Sequence, residues 1–214
     1  MKALLVAGGA IDYEFAAQYC SEHKFDFTIG IDKGTSFLYK AGITPDLLVG
    51  DFDSLDAQIL LYYQKQGIEI LQFNPEKDET DTQLALCTAI ERGCLELELL
   101  GAMGTRIDHV IANIQILAQA VQRGAKAWMI DPHNRIHLAE KNETIKKSEQ
   151  FGTYVSFFPL TTTVKGLTLK GFAYPLEKAA IGSDSSLTVS NEIMEETAFV
   201  SYEDGLLIMI ESKD

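Results

Sequence analysis

The sequence predicts an α/β unit, with a mainly parallel sheet covered by helices on both faces, followed by a small all-β sandwich. Three observations predict it. Over residues 1–131 short apolar runs alternate with helix-patterned stretches, the pattern of repeated βαβ units. Over residues 132–214 the chain turns to Thr-, Val-, Ile-, Phe- and Tyr-rich segments separated by turn residues, with no long helical pattern between them. A length of 214 residues, 46% hydrophobic and 23% charged, is enough for two modest units, each with its own core.

In the first unit the expected strands are 2–7 (KALLVA), 25–31, 46–50, 67–73, 94–100 and 126–130. Helical patterns lie near 12–23, 33–41, 54–66, 80–92 and 106–123. The last is the clearest, because Ile107, Val110, Ile111, Ile114, Leu117, Ala118 and Val121 recur at i, i+3, i+4 spacing, with Gly124 placed to end it. Thr80 and Gln83 fit a capping box at the start of 80–92, and Gly93 closes that helix. In the second unit strands are expected at 135–139, 151–158, 163–170, 186–190, 197–201 and 205–211. Gly152, Gly166, Gly171, Pro175 and 182–186 read as turns, and KNETIKKSEQ (141–150) reads as a polar turn near the boundary.

Composition excludes several classes. No apolar run approaches the ~20 residues of a membrane span, and the N-terminal stretch is too short for a signal peptide, so a first buried strand and a cytoplasmic protein are expected. Three cysteines, Cys20, Cys87 and Cys94, lack the paired spacing of a disulfide framework or a zinc site. A net charge of −13, from 18 Lys and Arg against 31 Asp and Glu, argues against nucleic-acid binding. A phosphate ligand remains compatible, provided that a metal, helix N-termini and a few placed cations supply local positive charge.

Loops that follow parallel strands gather at the carboxyl edge of a sheet, where open α/β folds bind ligands. Four such loops carry polar clusters: Asp32; Gly50–Asp51–Phe52–Asp53–Ser54; 74–81, with Lys77, Asp78 and Asp81; and Gly101–Ala102–Met103–Gly104–Thr105–Arg106–Ile107–Asp108–His109. Taken singly, each has a plain reading. Asp51 and Asp53 suit a turn and a helix cap, Asp78 and Asp81 suit a helix start, and Gly101 and Gly104 suit an ordinary turn. Together they suit something else. Two carboxylates two residues apart offer hard oxygen ligands to Mg²⁺. A glycine loop opening onto a helix offers backbone N–H groups to phosphate, and Arg106 beside it matches phosphate oxygens.

The segments GITPDLLVGDFDSL (42–55), KDETDTQLAL (77–86) and GAMGTRIDHVIANIQIL (101–117) resemble, in order and spacing, three hallmark segments of thiamine pyrophosphokinases, and GLTLKGFAYPL…SLTVSNE (166–192) resembles that family's thiamine-binding portion. The resemblance covers essentially the whole chain. It implies an α/β catalytic domain (1–131), a β-sandwich thiamine-binding domain (132–214), and a homodimer with its active site at the subunit interface. It also implies catalytic aspartates at Asp32, Asp51, Asp53 and Asp81, with Mg²⁺ on Asp51, Asp53 and Asp81. Nucleotide contacts would come from Lys77, Asp78, Gly101, Gly104, Arg106 and Asp108, and thiamine contacts from Tyr174, Ser190 and Asn191. The sequence departs from the family where Asp32–Lys33–Gly34–Thr35–Ser36 replaces the commoner Asp-Gly-Gly-Ala-Asn, and where Tyr174 stands in place of Trp.

The implied reaction moves a pyrophosphoryl group from ATP to the hydroxyl of thiamine, with either Asp81 or Asp32 orienting that hydroxyl or taking its proton. Two other readings share many of these features: a pyrophosphokinase for another hydroxymethyl substrate such as a pterin, and a non-enzymatic nucleotide- or thiamine-binding module.

Overall fold

A computed structural model describes residues 1–73 and 78–214 of the chain. It divides into two compact units, Met1–Pro132 and His133–Asp214.

The N-terminal unit runs β1 (Lys2–Val6), α1 (Tyr13–Glu22), β2 (Phe27–Ile31), a single 3-10 turn Asp32–Gly34, α2 (Thr35–Ala41), β3 (Leu47–Gly50), α3 (Ala57–Lys65), β4 (Glu69–Gln72), α4 (Asp81–Glu91), β5 (Glu96–Leu100), α5 (Ile107–Gln122) and β6 (Lys126–Ile130). Its strands lie in the order β6-β5-β1-β2-β3-β4, and every neighbouring pair is parallel. Consecutive residues such as Leu4 and Leu5, or Leu47 and Leu48, are at most 1% exposed. Such runs are buried on both sheet faces, as a helix-covered parallel sheet requires. The chain builds outward from β1 through β2, β3 and β4, then returns to β5 on the other side. The carboxyl ends of β1 and β5 therefore form the topological switch point.

Local chemistry starts the helices. Asp12 accepts from the Phe15 N–H at 2.9 Å, Asp56 from the Gln58 N–H at 2.8 Å, and Thr80 from the Gln83 N–H at 3.2 Å. Each satisfies one orphan donor of a helix N-terminus. The helix expected from residue 54 begins instead at Ala57, because the Asp56 side chain takes the cap.

The C-terminal unit contains β7 (Asn134–Leu138), β8 (Asn142–Lys146), β9 (Tyr154–Pro159), β10 (Thr163–Lys170), β11 (Leu176–Gly182), β12 (Asn191–Glu192), β13 (Thr197–Ser201) and β14 (Leu207–Ser212). Two antiparallel sheets, β12-β9-β14-β7 and β11-β10-β13-β8, sandwich one core. Val155, Phe157, Leu207 and Met209 enter it from the first sheet, and Ile145, Leu167, Leu169, Ile181 and Val200 from the second.

Three expectations change here. KNETIKKSEQ contains strand β8 as well as a turn. Only Ile145 of β8 is buried and its neighbours are polar, a pattern that suits an edge strand. Leu176–Gly182, where no strand was expected, is the opposite edge strand, whose pairing with β10 shifts register twice. Residues 186–190, expected as a strand, form a turn in which the Val189 N–H reaches the Ser186 carbonyl at 3.3 Å, and Ser190 adopts φ 55. The three cysteines are free thiols, as expected.

Candidate active site

The carboxyl edge of the N-terminal sheet is organised around one unusual residue. Asp32, at the end of β2, has φ 43, a left-handed conformation uncommon for a non-glycine residue. Its Oδ1 accepts from the Phe52 N–H at 3.2 Å. Gly50, with φ 150, lies so close that a Cβ there would stand 1.8 Å from Asp32 Oδ1. Phe52 is itself at φ 62, its ring buried with Leu48, Leu55, Ile59 and Tyr63. The turn after β3 is thus anchored below by Phe52 and wrapped above around the Asp32 carboxylate. Asp51 Oδ1 accepts from the Asp53 N–H at 2.9 Å, fixing the rest of the turn. Sequence reading named the aspartates but missed Gly50. The available signal was a glycine between a buried strand and Asp51.

Asp81, first residue of α4, brings its side chain into a hydrogen bond with Asp32, and Asp51 lies close enough for its charge to act on Asp32. Burial, with the Asp81 and Asp51 carboxylates adding to it, pushes Asp32 from its ordinary 3.8 up to about 7, against the opposing pull of the Phe52 N–H. The structure therefore gathers Asp32, Asp51 and Asp81. Asp53 is exposed at the turn surface, with its N–H spent on Asp51. Among the described residues no three His, Cys, Asp or Glu side chains close into a ready-made metal cage. Mg²⁺ needs none, because it commonly takes one or two carboxylates and completes its octahedron with water and phosphate. Crowded carboxylates are a donor set that fits it.

The clustering has a measurable cost. The folded-state pKa of Asp32 lies above its unfolded value. The folded state therefore holds the proton more tightly, and ionisation there weakens folding as pH rises through about 4 to about 7. Asp32→Asn is expected to raise the melting temperature of the metal-free protein at neutral pH, with the gain shrinking to nothing below about pH 4. Thermal melts in chelator across that range check it, and a pH-independent gain would rule out charge as the cause.

The switch point is closed by backbone pairing. The Ala7 N–H donates to the Leu100 carbonyl (2.8 Å), that of Gly9 to Gly101 (2.9 Å) and that of Ala10 to Met103 (3.1 Å). Gly101, at φ 67, would set a Cβ 2.3 Å from the Ala7 carbonyl oxygen, so glycine is required there. Asn113, buried on α5, donates to the Ala102 carbonyl at 2.7 Å and braces the loop from below. Gly104 lies beside Ala10. Arg106 is the N-cap of α5 rather than a first-turn residue, and it forms an exposed two-point pair with Asp108 (2.6 and 3.2 Å). That pair holds Asp108 below the usual carboxylate range. Asp78 is exposed just before α4, and Lys77 lies outside the described residues.

In the C-terminal unit Tyr174 is 70% exposed. Ser190 is exposed, and its N–H donates to Ser156 Oγ at 2.9 Å. Asn191 differs from both, being only 2% exposed with its amide turned onto the Tyr174 backbone.

Comparison with known proteins matches residues 18–129 to a model of the thiamin pyrophosphokinase catalytic domain and residues 142–207 to one of the thiamin pyrophosphokinase vitamin B1 binding domain. Thiamine pyrophosphokinase of Bacillus subtilis is 37% identical over 196 residues, 92% of this chain and 91% of that protein. The chain belongs to the thiamine pyrophosphokinase family. Solved structures agree. The crystal structure of the Bacillus subtilis thiamine pyrophosphokinase matches with TM-score 0.88 at 35% identity, covering 100% of both chains. That of a thiamin pyrophosphokinase family protein from Enterococcus faecalis matches with TM-score 0.84 at 33% identity over 100% of both. Yeast thiamin pyrophosphokinase, at 17% identity and TM-score 0.81, shares the fold. Asp32, Asp51, Asp81 and the Gly101–Arg106 loop all fall within the stretch matched by the family's catalytic model, and Tyr174, Ser190 and Asn191 within the vitamin B1 binding model.

Proposed function

We propose that this enzyme transfers a pyrophosphoryl group from ATP to the hydroxyl of thiamine, giving thiamine diphosphate and AMP. The observation that carries this reading is the cluster of Asp32, Asp51 and Asp81 drawn from three separate loops of one sheet edge in a chain of this family. The thiamine hydroxyl oxygen attacks the β-phosphorus of ATP, the bond from that phosphorus to the α,β-bridging oxygen breaks, and AMP leaves. The hydroxyl proton passes to the Asp32–Asp81 carboxylate pair, which also orients the hydroxyl. Asp51 and Asp81, with Asp53 from the turn surface, would hold Mg²⁺, which would offset the negative charge of the triphosphate. Backbone N–H groups of the Gly101–Gly104 loop and the Arg106 guanidinium, held by Asp108, cradle phosphate oxygens, and Lys77 and Asp78 add nucleotide contacts. Positioning and charge neutralisation account for most of such a transfer.

Tyr174 and Ser190 contact thiamine, the phenol ring facing the cationic thiazolium. Tyr174→Ala is expected to raise the KM for thiamine roughly tenfold while moving that for ATP less than about twofold. Steady-state kinetics with each substrate varied checks this, and equal effects on both constants would contradict the role. AMP release from ATP plus thiamine, with and without Mg²⁺, tests the activity itself. A pterin acceptor in place of thiamine separates the neighbouring reading, and absence of AMP release with either would leave only a binding module.

A homodimer with the active site at the subunit interface also belongs to this proposal. Tyr174, Leu187, Val189 and Met194 of the C-terminal unit are exposed, and a second copy would cover them. Sedimentation at micromolar concentration reads the state. A cytoplasmic location fits the free thiols, and no helix among the described residues is long and apolar enough to cross a membrane.

A further inference from the structure

Ser190 and Asn191 are neighbours in sequence, yet they face opposite environments. The Asn191 side chain is buried and its amide is occupied by backbone. Oδ1 accepts from the Tyr174 N–H at 2.9 Å and from the Glu192 N–H at 3.0 Å, while Nδ2 donates to the Tyr174 carbonyl at 2.8 Å. A side-chain amide has the shape of a peptide group. It therefore pairs with Tyr174 from both sides, as a facing strand residue would. Regular pairing stops just before this point: Phe172 bridges Ile193, and the Ala173 N–H donates to the Glu192 carbonyl at 2.9 Å. Pro175 follows Tyr174 and has no N–H to continue a ladder. Asn191 itself is fixed, because β12 pairs with β9 (Asn191↔Val155). The Phe172 ring packs edge-on to Phe157 at 5.6 Å. The Tyr174 ring projects 70% exposed from a backbone held at this clamp.

We infer that Asn191 is a positioning residue for thiamine recognition, setting the Tyr174 ring through that residue's backbone, while Ser190 and Tyr174 make the contacts with the ligand. This rests on the proposed role of Tyr174 as the aromatic wall. It separates the two members of the Ser-Asn pair by function.

A double-mutant cycle tests it. Asn191→Ala is expected to raise the KM for thiamine by about as much as Tyr174→Ala, roughly tenfold, with the KM for ATP within about twofold of the parent. The Asn191→Ala/Tyr174→Ala double variant is expected to bind thiamine no worse than Tyr174→Ala alone, because the clamp then has no ring to place. Ser190→Ala combined with Tyr174→Ala should instead multiply. Asn191→Asp, which keeps the acceptor and loses the donor, serves if the alanine variant does not fold, and its expected thiamine KM lies between parent and Tyr174→Ala. Multiplying effects in the Asn191–Tyr174 cycle would overturn the inference by showing direct contact of Asn191 with the ligand. A rise in the ATP KM equal to that for thiamine would overturn it by showing general damage. An unchanged thiamine KM in Tyr174→Ala alone would bring down the aromatic-wall reading, and this inference with it, through a different arm of the same cycle.

Discussion

Replacing Asp51 with asparagine is expected to lower turnover about a thousandfold while leaving the fold intact. The magnitude follows from losing a carboxylate ligand of the proposed Mg²⁺, the cation that would offset phosphoryl charge in the transition state, a loss of order 10²–10³ or more. The fold survives for a specific reason. Asp51 Oδ1 accepts from the Asp53 N–H, and an asparagine oxygen can do the same, so only the charge goes, and with it the proposed hold on a metal. AMP release at saturating thiamine and ATP measures the first effect. A thermal melt measures the second, with a shift under about 2 °C expected from a substitution that keeps its contacts. Near-parental turnover would remove Asp51 from the site, whatever the family relationship.

Gly50→Ala attacks the same site from beneath and should damage both stability and chemistry. At φ 150 an L side chain is strained, and its Cβ would fall 1.8 Å from Asp32 Oδ1. The backbone strain alone is of order 1–3 kcal/mol. Together with the overlap it should lower the melting temperature by about 10 °C in a chain of this size. Displacing Asp32 by even about 1 Å should cost turnover roughly a hundredfold. The paired variant Gly50→Ala/Asp32→Ala separates the two effects. Removing the carboxylate relieves the overlap, so part of the stability returns while activity stays lost. A double variant as unstable as Gly50→Ala would place the strain in the backbone rather than against Asp32.

The strands of the first unit, the helix patterns and the β-rich second unit could be read in the sequence because each depends on local periodicity. Apolar runs as short as KALLVA read as strands buried on both faces, and the i, i+3, i+4 spacing over 107–121 reads as a helix. The face that α5 buries is nevertheless Asn113, Ile116, Leu117 and Ala120, and Ile107, Ile111 and Val121 of the expected stripe stay exposed. The edge strands β8 and β11 escaped that reading because an edge position asks for few buried residues, and charged strands look like loops. The same limit applied at the site. Motifs named the aspartates and the Ser-Asn pair, but a residue type does not say where its side chain points.

By itself the sequence determined the fold class and picked out the loops proposed to carry chemistry, since both follow from which residues alternate and which follow strands. Only the tertiary structure decided that Asp32 and Asp81 touch while Asp53 stays at the turn surface, that Gly50 must lack a side chain, and that Asn191 grips Tyr174 while Ser190 faces outward. The physical reason is distance along the chain. Asp32 and Asp81, like Tyr174 and Asn191, are far apart in sequence, and their contacts exist only once sheet pairing has fixed the strand ends beside one another.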